Sequence, residues 1–389
     1  MRLRQTGILI TIVYLAIFGG VHIWRAMFYG HALGDLRAEP GQIAAVFSWL
    51  ALPGVLAFLV GYLLKRFSFR AMIGLSTFLV GGGLVWIGLA PSLKGMSLGL
   101  LALGLGPILF YPTVCGLRLL ESPRGEAATS LGRLRSFGPL AALLAAGLIV
   151  LTLSSTSFKV AMPMIGIAVL LVGVLATWGL ATDQRARGHS ELRFRRELLP
   201  YYSLHFLAGI RSGVFRAFVI VTLVREHDIE ISTTATLVLG GSLATLLGYH
   251  LIGYIGDRFD KITVLTGLFS VIALNYGGFI LFGESAAILS VLFVIDSLLF
   301  GTSVITDSSL RDSGGGTDMA GHLAIGLSLF SLAGVMTPQL GAWLLVVAGA
   351  ESVFILGALA ALASLLVARR LLIAPGGTVK LSKMSMPGS

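Results

Sequence analysis

Ionisable side chains inside long apolar segments are the residues of this chain that could carry out chemistry. A charged group at the centre of a membrane-spanning helix costs at least ~2.5–3.5 kcal/mol, so it normally faces a polar cavity or a partner. Arginines outnumber carboxylates in this set, which favours an anionic ligand. The candidates are His22, Arg25, Arg133, Arg135, His205, Arg211, Arg216, His250, Asp296, Asp307 and His322.

Two of these arginines occupy matching places in the two halves of the chain. Arg25 lies in the sequence WRAM and Arg216 in the sequence FRAF, 191 positions later. The planar guanidinium fork suits a carboxylate or a phosphate better than an ammonium does. The pair therefore predicts an anion clamp. In the alternative interpretation the arginines extend to the membrane surface or pair with Asp35 and Glu226.

The first apolar segment carries a stripe of polar and aromatic residues. Tyr14, Phe18, His22 and Arg25 follow each other at steps of four, four and three, which places them near one helix face. With Arg25, the side chains of Tyr14 and His22 are candidate substrate contacts. A stripe that only packs against other helices is the alternative.

A carboxylate and an arginine lie at similar depth in two other segments. Asp296 is central in FVIDSLLF, and Arg211 is its natural ion-pair partner. The pair is either structural, or it couples transport to protons through protonation of Asp296. Arg211 is also a candidate substrate contact, although it points about 140° away from Arg216 around the helix. We expect Asp307 to be hydrated, and Arg133 and Arg135 to line an inner entrance or reach the interface.

Composition predicts that these residues lie in a membrane protein. The chain of 389 residues is 56% hydrophobic and 12% charged, with a mean hydropathy of +0.92. About 20 apolar residues span a bilayer as a helix. We expect spans at 7–34, 41–63, 71–91, 96–120, 127–153, 160–181, 198–224, 232–256, 262–282, 286–308, 319–347 and 351–372.

The positions of the basic residues predict an orientation. With a cytoplasmic N-terminus only Arg37, Lys94, Lys159 and Arg225 face outward, an arrangement that satisfies the positive-inside rule. The net charge of +10 is then explained by basic residues in the inner loops, so it does not indicate nucleic-acid binding. The inward-facing residues are Arg2, Arg4, Lys65, Arg66, Arg70, Arg118, Arg124, Arg185, Arg187, Arg193, Arg195, Arg196, Arg258, Lys261, Arg311, Arg369, Arg370, Lys380 and Lys383.

A loop motif occurs twice, as GYLLKRFSFR at 61–70 and GYIGDRFDK at 253–261. The second copy resembles the motif G-x-x-x-D-R-x-G-R-R/K of the major facilitator superfamily through Gly253, Asp257, Arg258 and Lys261. In the first copy, Lys65 stands where the superfamily usually has an acidic residue.

The resemblance implies an all-α integral membrane protein with twelve transmembrane helices in two pseudo-symmetric six-helix bundles. The implied domains are 1–181 and 198–372, with a cytoplasmic linker at 182–197 and a tail at 373–389. The first, fourth, seventh and tenth helices of this superfamily line a central cavity, on which Arg25 and Arg216 would converge. Organophosphate exchangers of the superfamily use one arginine on each of the first and seventh helices in a similar way.

The resemblance also implies a cytoplasmic gate formed by Gly253, Asp257, Arg258 and Lys261. A carboxylate near a helix N-terminus is favoured by the helix dipole, typically by about 0.3–1 kcal/mol. Asp257 could therefore latch helix ends in one state and release them in another. In the alternative interpretation this segment is only a charged loop.

Other chemistry has no support in the sequence. There is no P-loop, CxxC or HExxH, and Cys115 is the single cysteine. We expect no cleavable signal peptide before the first span. We expect no cofactor, no metal and no enzymatic activity.

The combined prediction is a secondary transporter in the cytoplasmic membrane of a bacterium that moves a small polar, anionic organic solute. It would work by alternating access as a monomer, with protons or another ion for coupling and no nucleic-acid partner. One alternative is a multidrug-type proton antiporter of lipophilic compounds. A second is a non-transporting membrane receptor on the same fold.

The predicted orientation can be tested with single cysteines in a Cys115→Ser background. Because the charge bias places the linker inside, a cysteine at Arg187 should react with an impermeant maleimide only from the cytoplasm. Cysteines at Lys94 and Lys159 should react only from outside. Labelling of Arg187→Cys in intact cells would contradict the orientation.

Overall fold

The computed structural model describes residues 2–38, 40–123, 125–153, 156–180, 194–227, 231–312 and 318–370, which are almost entirely helical and contain no strand. We number the spans α1 (Arg2–Gly30, continued by a π-helical turn His31–Asp35), α2 (Pro40–Val55 and Leu59–Arg66), α3 (Phe69–Leu89), α4 (Ser97–Glu121), α5 (Ala127–Arg135 and Phe137–Leu148, continued by a π-helical turn Ile149–Leu153), α6 (Phe158–Gly179), α7 (Leu199–Val214, the π-helical turn Phe215–Val219 and Ile220–Glu226), α8 (Ile231–Arg258), α9 (Lys261–Leu281), α10 (Ala286–Leu299 and Thr302–Asp312), α11 (Met319–Ala348) and α12 (Ala350–Ala368).

These helices confirm the predicted number of spans. Eleven of them are long and apolar enough to cross a membrane, and α2 makes twelve if its two parts, bent by 71°, form one span. Most of the predicted linker (residues 182–193) and the whole predicted tail (373–389) lie outside the described residues.

The bend in α2 has a local cause and links it to α11. Pro53 lies in the last turn before the break, and proline disrupts the helical hydrogen-bond ladder. The backbone N–H of Phe58, in the break itself, donates instead to Ser328 Oγ of α11 at 2.7 Å. The break therefore leaves this polar group satisfied, as the apolar surroundings require.

The helix contacts repeat between the first six and the last six spans. In the first six, α1 packs on α5 and α6, α2 packs on α4, and α3 packs on α4 and α6. In the last six, α7 packs on α11 and α12, α8 packs on α10, and α9 packs on α10 and α12. Adding six to each helix number converts the first set into the second, so the structure contains two pseudo-symmetric bundles.

The two bundles contact each other through α5 with α8 and α10, and through α11 with α2 and α4. We call the side where α1 begins and α12 ends the inner side, because the charge bias predicts it to be cytoplasmic. A Cβ at Gly253 of α8 would lie 2.8 Å from the Ala128 carbonyl oxygen of α5, and a Cβ at Gly132 would collide with the Tyr249 carbonyl. Both contacts lie near the inner ends of α5 and α8, so this side is closed.

Candidate functional site

A central cavity of about 380 Å³ lies between the two bundles. Its walls are mostly apolar, with phenylalanines from α1, α9, α10 and α11. Polar groups enter it from α5, α7 and α10. The residues that line it include Phe18, Tyr111, Arg135, His205, Arg211, Arg216, Tyr249, Phe269, Phe300, Ser303, Asp307 and Phe330.

Arg216 presents a positive charge to this cavity. It lies in the π-helical turn Phe215–Val219, and such turns are frequent at functional sites. Ser212 Oγ accepts hydrogen bonds from Nε, at 2.8 Å, and from Nη2, while the guanidinium carbon lies 5.8 Å from the centre of the Phe330 ring. No carboxylate among the described residues forms an ion pair with Arg216, and its Nη1 has no hydrogen-bond partner there.

Arg211 and Asp296 form the ion pair that their equal depth indicated. Arg211 Nη1 donates to Asp296 Oδ1 at 3.2 Å, and the side chain of Asp296 is 0% exposed. The guanidinium carbon of Arg211 lies 4.5 Å from the centre of the Phe300 ring, and the Tyr276 hydroxyl donates to the Arg211 carbonyl at 3.1 Å. Arg211 touches the cavity, but Asp296 is behind it and does not line it.

A second buried ion pair joins the two bundles at the inner end of the cavity. Arg135 Nη2 of α5 donates to Asp307 Oδ2 of α10, and Arg135 Nη1 donates to Ser303 Oγ at 2.8 Å. From α7, the Tyr201 hydroxyl donates to Asp307 Oδ1 at 3.0 Å, and His205 Nε2 lies 2.7 Å from the same oxygen. Asp307 therefore holds α5, α7 and α10 together.

This network corrects one expectation and decides between two alternatives. Asp307 is buried, with its side chain 1% exposed, and Arg135 compensates its charge. Arg135 does not reach the interface, and only Arg133 is exposed, on the opposite face of α5. The sequence signal for Arg135 was its position two turns inside the apolar segment, but its partner lies 172 positions away.

The stripe on α1 contributes less to the cavity than expected. Phe18 lines it, whereas Tyr14, His22 and Arg25 do not. Tyr14 is 3% exposed and stacks on Phe18, with ring centroids 4.5 Å apart, so it supports the wall from behind. Arg25 is exposed and lies close enough to Arg216 to repel it electrostatically.

The other histidine candidates also lie away from the cavity. His250 is exposed and its Nδ1 bonds to the Leu246 carbonyl at 3.1 Å. His322 is buried, and its Nδ1 lies 2.9 Å from the Tyr202 hydroxyl. Among the residues that the structure describes, no three His, Cys, Asp or Glu side chains come together as a metal site.

The last turn of α8 connects the two bundles at the inner side. Asp257 accepts hydrogen bonds from the backbone N–H groups of Ala128 and Thr129, at 2.9 and 2.6 Å. The sequence indicated the start of the next helix as its partner, but that position is occupied by Asp260, which caps α9 at Thr263 N. Asp257 instead binds the N-terminus of α5 in the other bundle, where the helix dipole favours it.

The remaining gate residues have separate partners. Arg258 stacks on Tyr254, with its guanidinium carbon 4.3 Å from the ring centre, and Lys261 Nζ lies 2.5 Å from Asp312 Oδ2. Thr129 Oγ1 lies 3.4 Å from the Gly253 carbonyl. Asp257 is therefore the member of the motif whose side chain bridges the two bundles.

Comparisons with known proteins show the fold. No family model and no curated protein matches the sequence. The structure is similar to that of the E. coli fucose:proton symporter FucP, with 13% identity, 93% of this chain and 97% of that chain covered, and a TM-score of 0.75. It is also similar to a bacterial homologue of the iron transporter ferroportin in an outward-facing state, with 12% identity, 94% and 99% coverage, and a TM-score of 0.75. The chain thus has the fold of major facilitator superfamily transporters, as the loop motif implied.

The Asp257 latch can be tested by measuring the width of the inner side. Asp257→Asn removes the charge that binds the N-terminus of α5, so spin labels at Glu126 and Phe259 should show a larger population of long distances. Asp260→Asn is the matched control: it removes the same charge from the neighbouring helix end, and because asparagine also caps helices well, neither the stability nor the label distances should change much. Identical distance distributions for Asp257→Asn and the parent would contradict the latch.

Proposed function

We propose that this protein is a secondary transporter that carries a small organic anion across the membrane by alternating access. The observation that supports this most directly is the charge of Arg216. A guanidinium exposed to an apolar cavity without a carboxylate partner is costly unless a ligand compensates it. A bound carboxylate or phosphate group would supply that compensation.

A count of charges at the cavity supports an anion over a cation. Arg135 is neutralised by Asp307, and Arg211 is neutralised by Asp296. Arg216 remains, so the site has an excess of one positive charge. The field of this charge attracts anions and repels lipophilic cations.

The walls of the cavity suggest the rest of the ligand. A volume of about 380 Å³ lies in the usual range for small-molecule sites, which is about 300–1,000 Å³. Phe18, Phe269, Phe300 and Phe330 line it, and Phe330 stacks beside the Arg216 guanidinium. The substrate class that fits is an anion with a hydrocarbon or aromatic body.

Alternating access requires that the inner contacts break. Opening of this side would separate Asp257 from the N-terminus of α5 and Arg135 from Asp307. Breaking a buried ion pair without replacement is unfavourable by about 3–5 kcal/mol. A proton on Asp307 removes one charge of this pair, and a substrate anion bound between Arg135 and Arg216 would offset the charge of Arg135 in its place. Entry of an anion and a proton together would then permit the opening.

This reasoning moves the proposed proton site from Asp296 to Asp307. Asp296 is fully buried behind Arg211 and both belong to the same bundle, so no inter-bundle motion separates them. Asp307 lines the cavity, its cationic partner lies on the other bundle, and His205 offers a path for a proton from the cavity. We propose that Arg211–Asp296 is structural.

The exporter of lipophilic compounds remains the second candidate, because aromatic walls also suit an uncharged drug. The excess charge at Arg216 argues against a cationic one. A metal ion as the substrate has less support, since the described residues hold no cluster of metal-ligating side chains.

We further propose that the protein is a monomer in the cytoplasmic membrane with both termini inside.

The anion clamp predicts how substrate affinity responds to substitution. A panel of radiolabelled aromatic and aliphatic carboxylates and phosphate monoesters in proteoliposomes should identify a ligand. Its affinity should fall about 10- to 100-fold in Arg216→Ala, because one charge-assisted interaction is lost. Arg216→Lys should recover only part of it, since the fork geometry is lost.

The affinities of an Arg25 variant and of a control variant are needed to interpret this result. If both arginines hold one anionic group, the double variant Arg25→Ala/Arg216→Ala should lose little more affinity than either single variant. His250→Ala, which does not line the cavity, should bind normally. Normal affinity for an anion in Arg216→Ala, or binding restricted to uncharged lipophilic compounds, would reject the clamp.

The proposed coupling can be separated from binding. In Asp307→Asn, exchange of labelled for unlabelled substrate should continue, but accumulation driven by a proton gradient should be lost. Asp307→Asn leaves the buried charge of Arg135 without its carboxylate partner. The double variant Arg135→Gln/Asp307→Asn replaces both members of the ion pair, so it repeats the test without an unpaired buried charge. Asp296→Asn should lower the stability of the protein, but the protein that still folds should accumulate substrate in response to a proton gradient. Loss of proton dependence in Asp296→Asn alone would return the coupling role to Asp296.

A further inference from the structure

A second cavity, of about 440 Å³, lies within the first bundle near the inner side. It is formed by the first turns of α1, the end of α4 and the first half of α5. Its walls are largely apolar, with Ile8 and Ile12 from α1 and Leu117 from α4. None of the transport steps proposed above uses it.

This groove faces the lipid rather than the centre of the protein. Arg133 lies on the same face of α5 as Leu140, Leu144 and Leu148, because 7, 11 and 15 positions are close to whole numbers of helical turns. Leu144 and Leu148 are 56% and 44% exposed. On the α1 side, Ile8 and Ile12 are 55% and 44% exposed. The exposed apolar side chains of α1 in the groove, and those of α5 beyond it, indicate that this part of the protein contacts acyl chains.

Two arginines lie at the inner end of the groove. Arg118 is in the last turn of α4, and Arg133 lies six residues into α5, about 9 Å from its start. The long side chain of Arg133 can extend from this depth toward the interface. Glu121 is the acidic residue of the groove lining, so the groove has a net positive charge. Glu121 interacts electrostatically with Arg118, and no described carboxylate forms an ion pair with Arg133.

We propose that this groove binds an anionic phospholipid of the inner leaflet. Arg118 and Arg133 would hold its phosphate, and an acyl chain would lie against Ile8 and Ile12. Basic pockets between spans on the cytoplasmic side suit anionic head groups in this way. The open apolar rim distinguishes the ligand from a soluble phosphate, which would gain nothing from these walls.

The lipid would also act on the inner closure. Arg133 and Arg135 are two residues apart on α5, and Asp257 binds the N-terminus of the same helix. A lipid that holds α5 against α1 and α4 therefore affects the position of the helix that makes both inter-bundle contacts. This inference does not depend on the identity of the transported solute.

The test compares lipid binding in the full-length protein. Delipidated protein is titrated with phosphatidylglycerol or phosphatidylcholine and monitored by native mass spectrometry. The parent should bind phosphatidylglycerol more tightly than phosphatidylcholine. In the double variant Arg118→Gln/Arg133→Gln, this ratio of affinities should fall about fivefold for each arginine removed. Arg258→Gln, which removes an exposed inner-side arginine outside the groove, should retain it.

A second variant distinguishes the groove from general surface charge. Gly7 has open space around its Cβ direction, so Gly7→Phe should fill the groove without a backbone collision while both arginines remain. It should also lose the phosphatidylglycerol preference. Unchanged preference in Gly7→Phe, an equal loss in Arg258→Gln, or displacement of the lipid by free glycerol 3-phosphate would each overturn the proposal.

Discussion

The low dielectric of the membrane interior requires a partner for every buried charge, and the arrangement of α5, α7 and α10 follows from this constraint. Arg211 and Asp296 satisfy it within one bundle, where their ion pair joins α7 to α10. Arg135 and Asp307 satisfy it across the two bundles, so the same requirement makes the closed inner side a distinct state. Arg216 has no carboxylate partner among the described residues, which makes it the natural anchor for an anionic ligand.

Helix α5 carries most of the contacts on which the state of the protein depends. Its N-terminus binds Asp257, Gly132 allows close approach of α8, and Arg135 reaches Asp307. These three contacts lie within two to three turns of one helix, so a shift of α5 would break them together. The groove at Arg133 lies on the opposite face, where lipid can act on the same helix. A single element therefore connects the membrane, the gate and the cavity.

Much of the architecture could be predicted from the sequence, because membrane helices must satisfy their own backbone hydrogen bonds and remain apolar over about 20 residues. The twelve spans follow from that rule. The loop motif at 253–261 indicated the superfamily fold, and its Asp257 indicated an inner contact. Equal depth indicated the Arg211–Asp296 pair, since two buried opposite charges at one level are strongly favoured to meet.

Partner choice was decided by the tertiary structure alone. Whether Asp307 meets water or Arg135 depends on how α5 crosses α10, and the two residues are 172 positions apart. Whether Asp257 binds the N-terminus of α9 or that of α5 depends on how closely the two bundles approach. Its partner Ala128 lies 129 positions away in the sequence. Likewise, the sequence placed Tyr14, Phe18, His22 and Arg25 near one helix face, but the packing of α1 leaves only Phe18 in the cavity wall. Hydropathy and spacing determine which residues are buried and at what depth, whereas only packing determines which buried groups face each other.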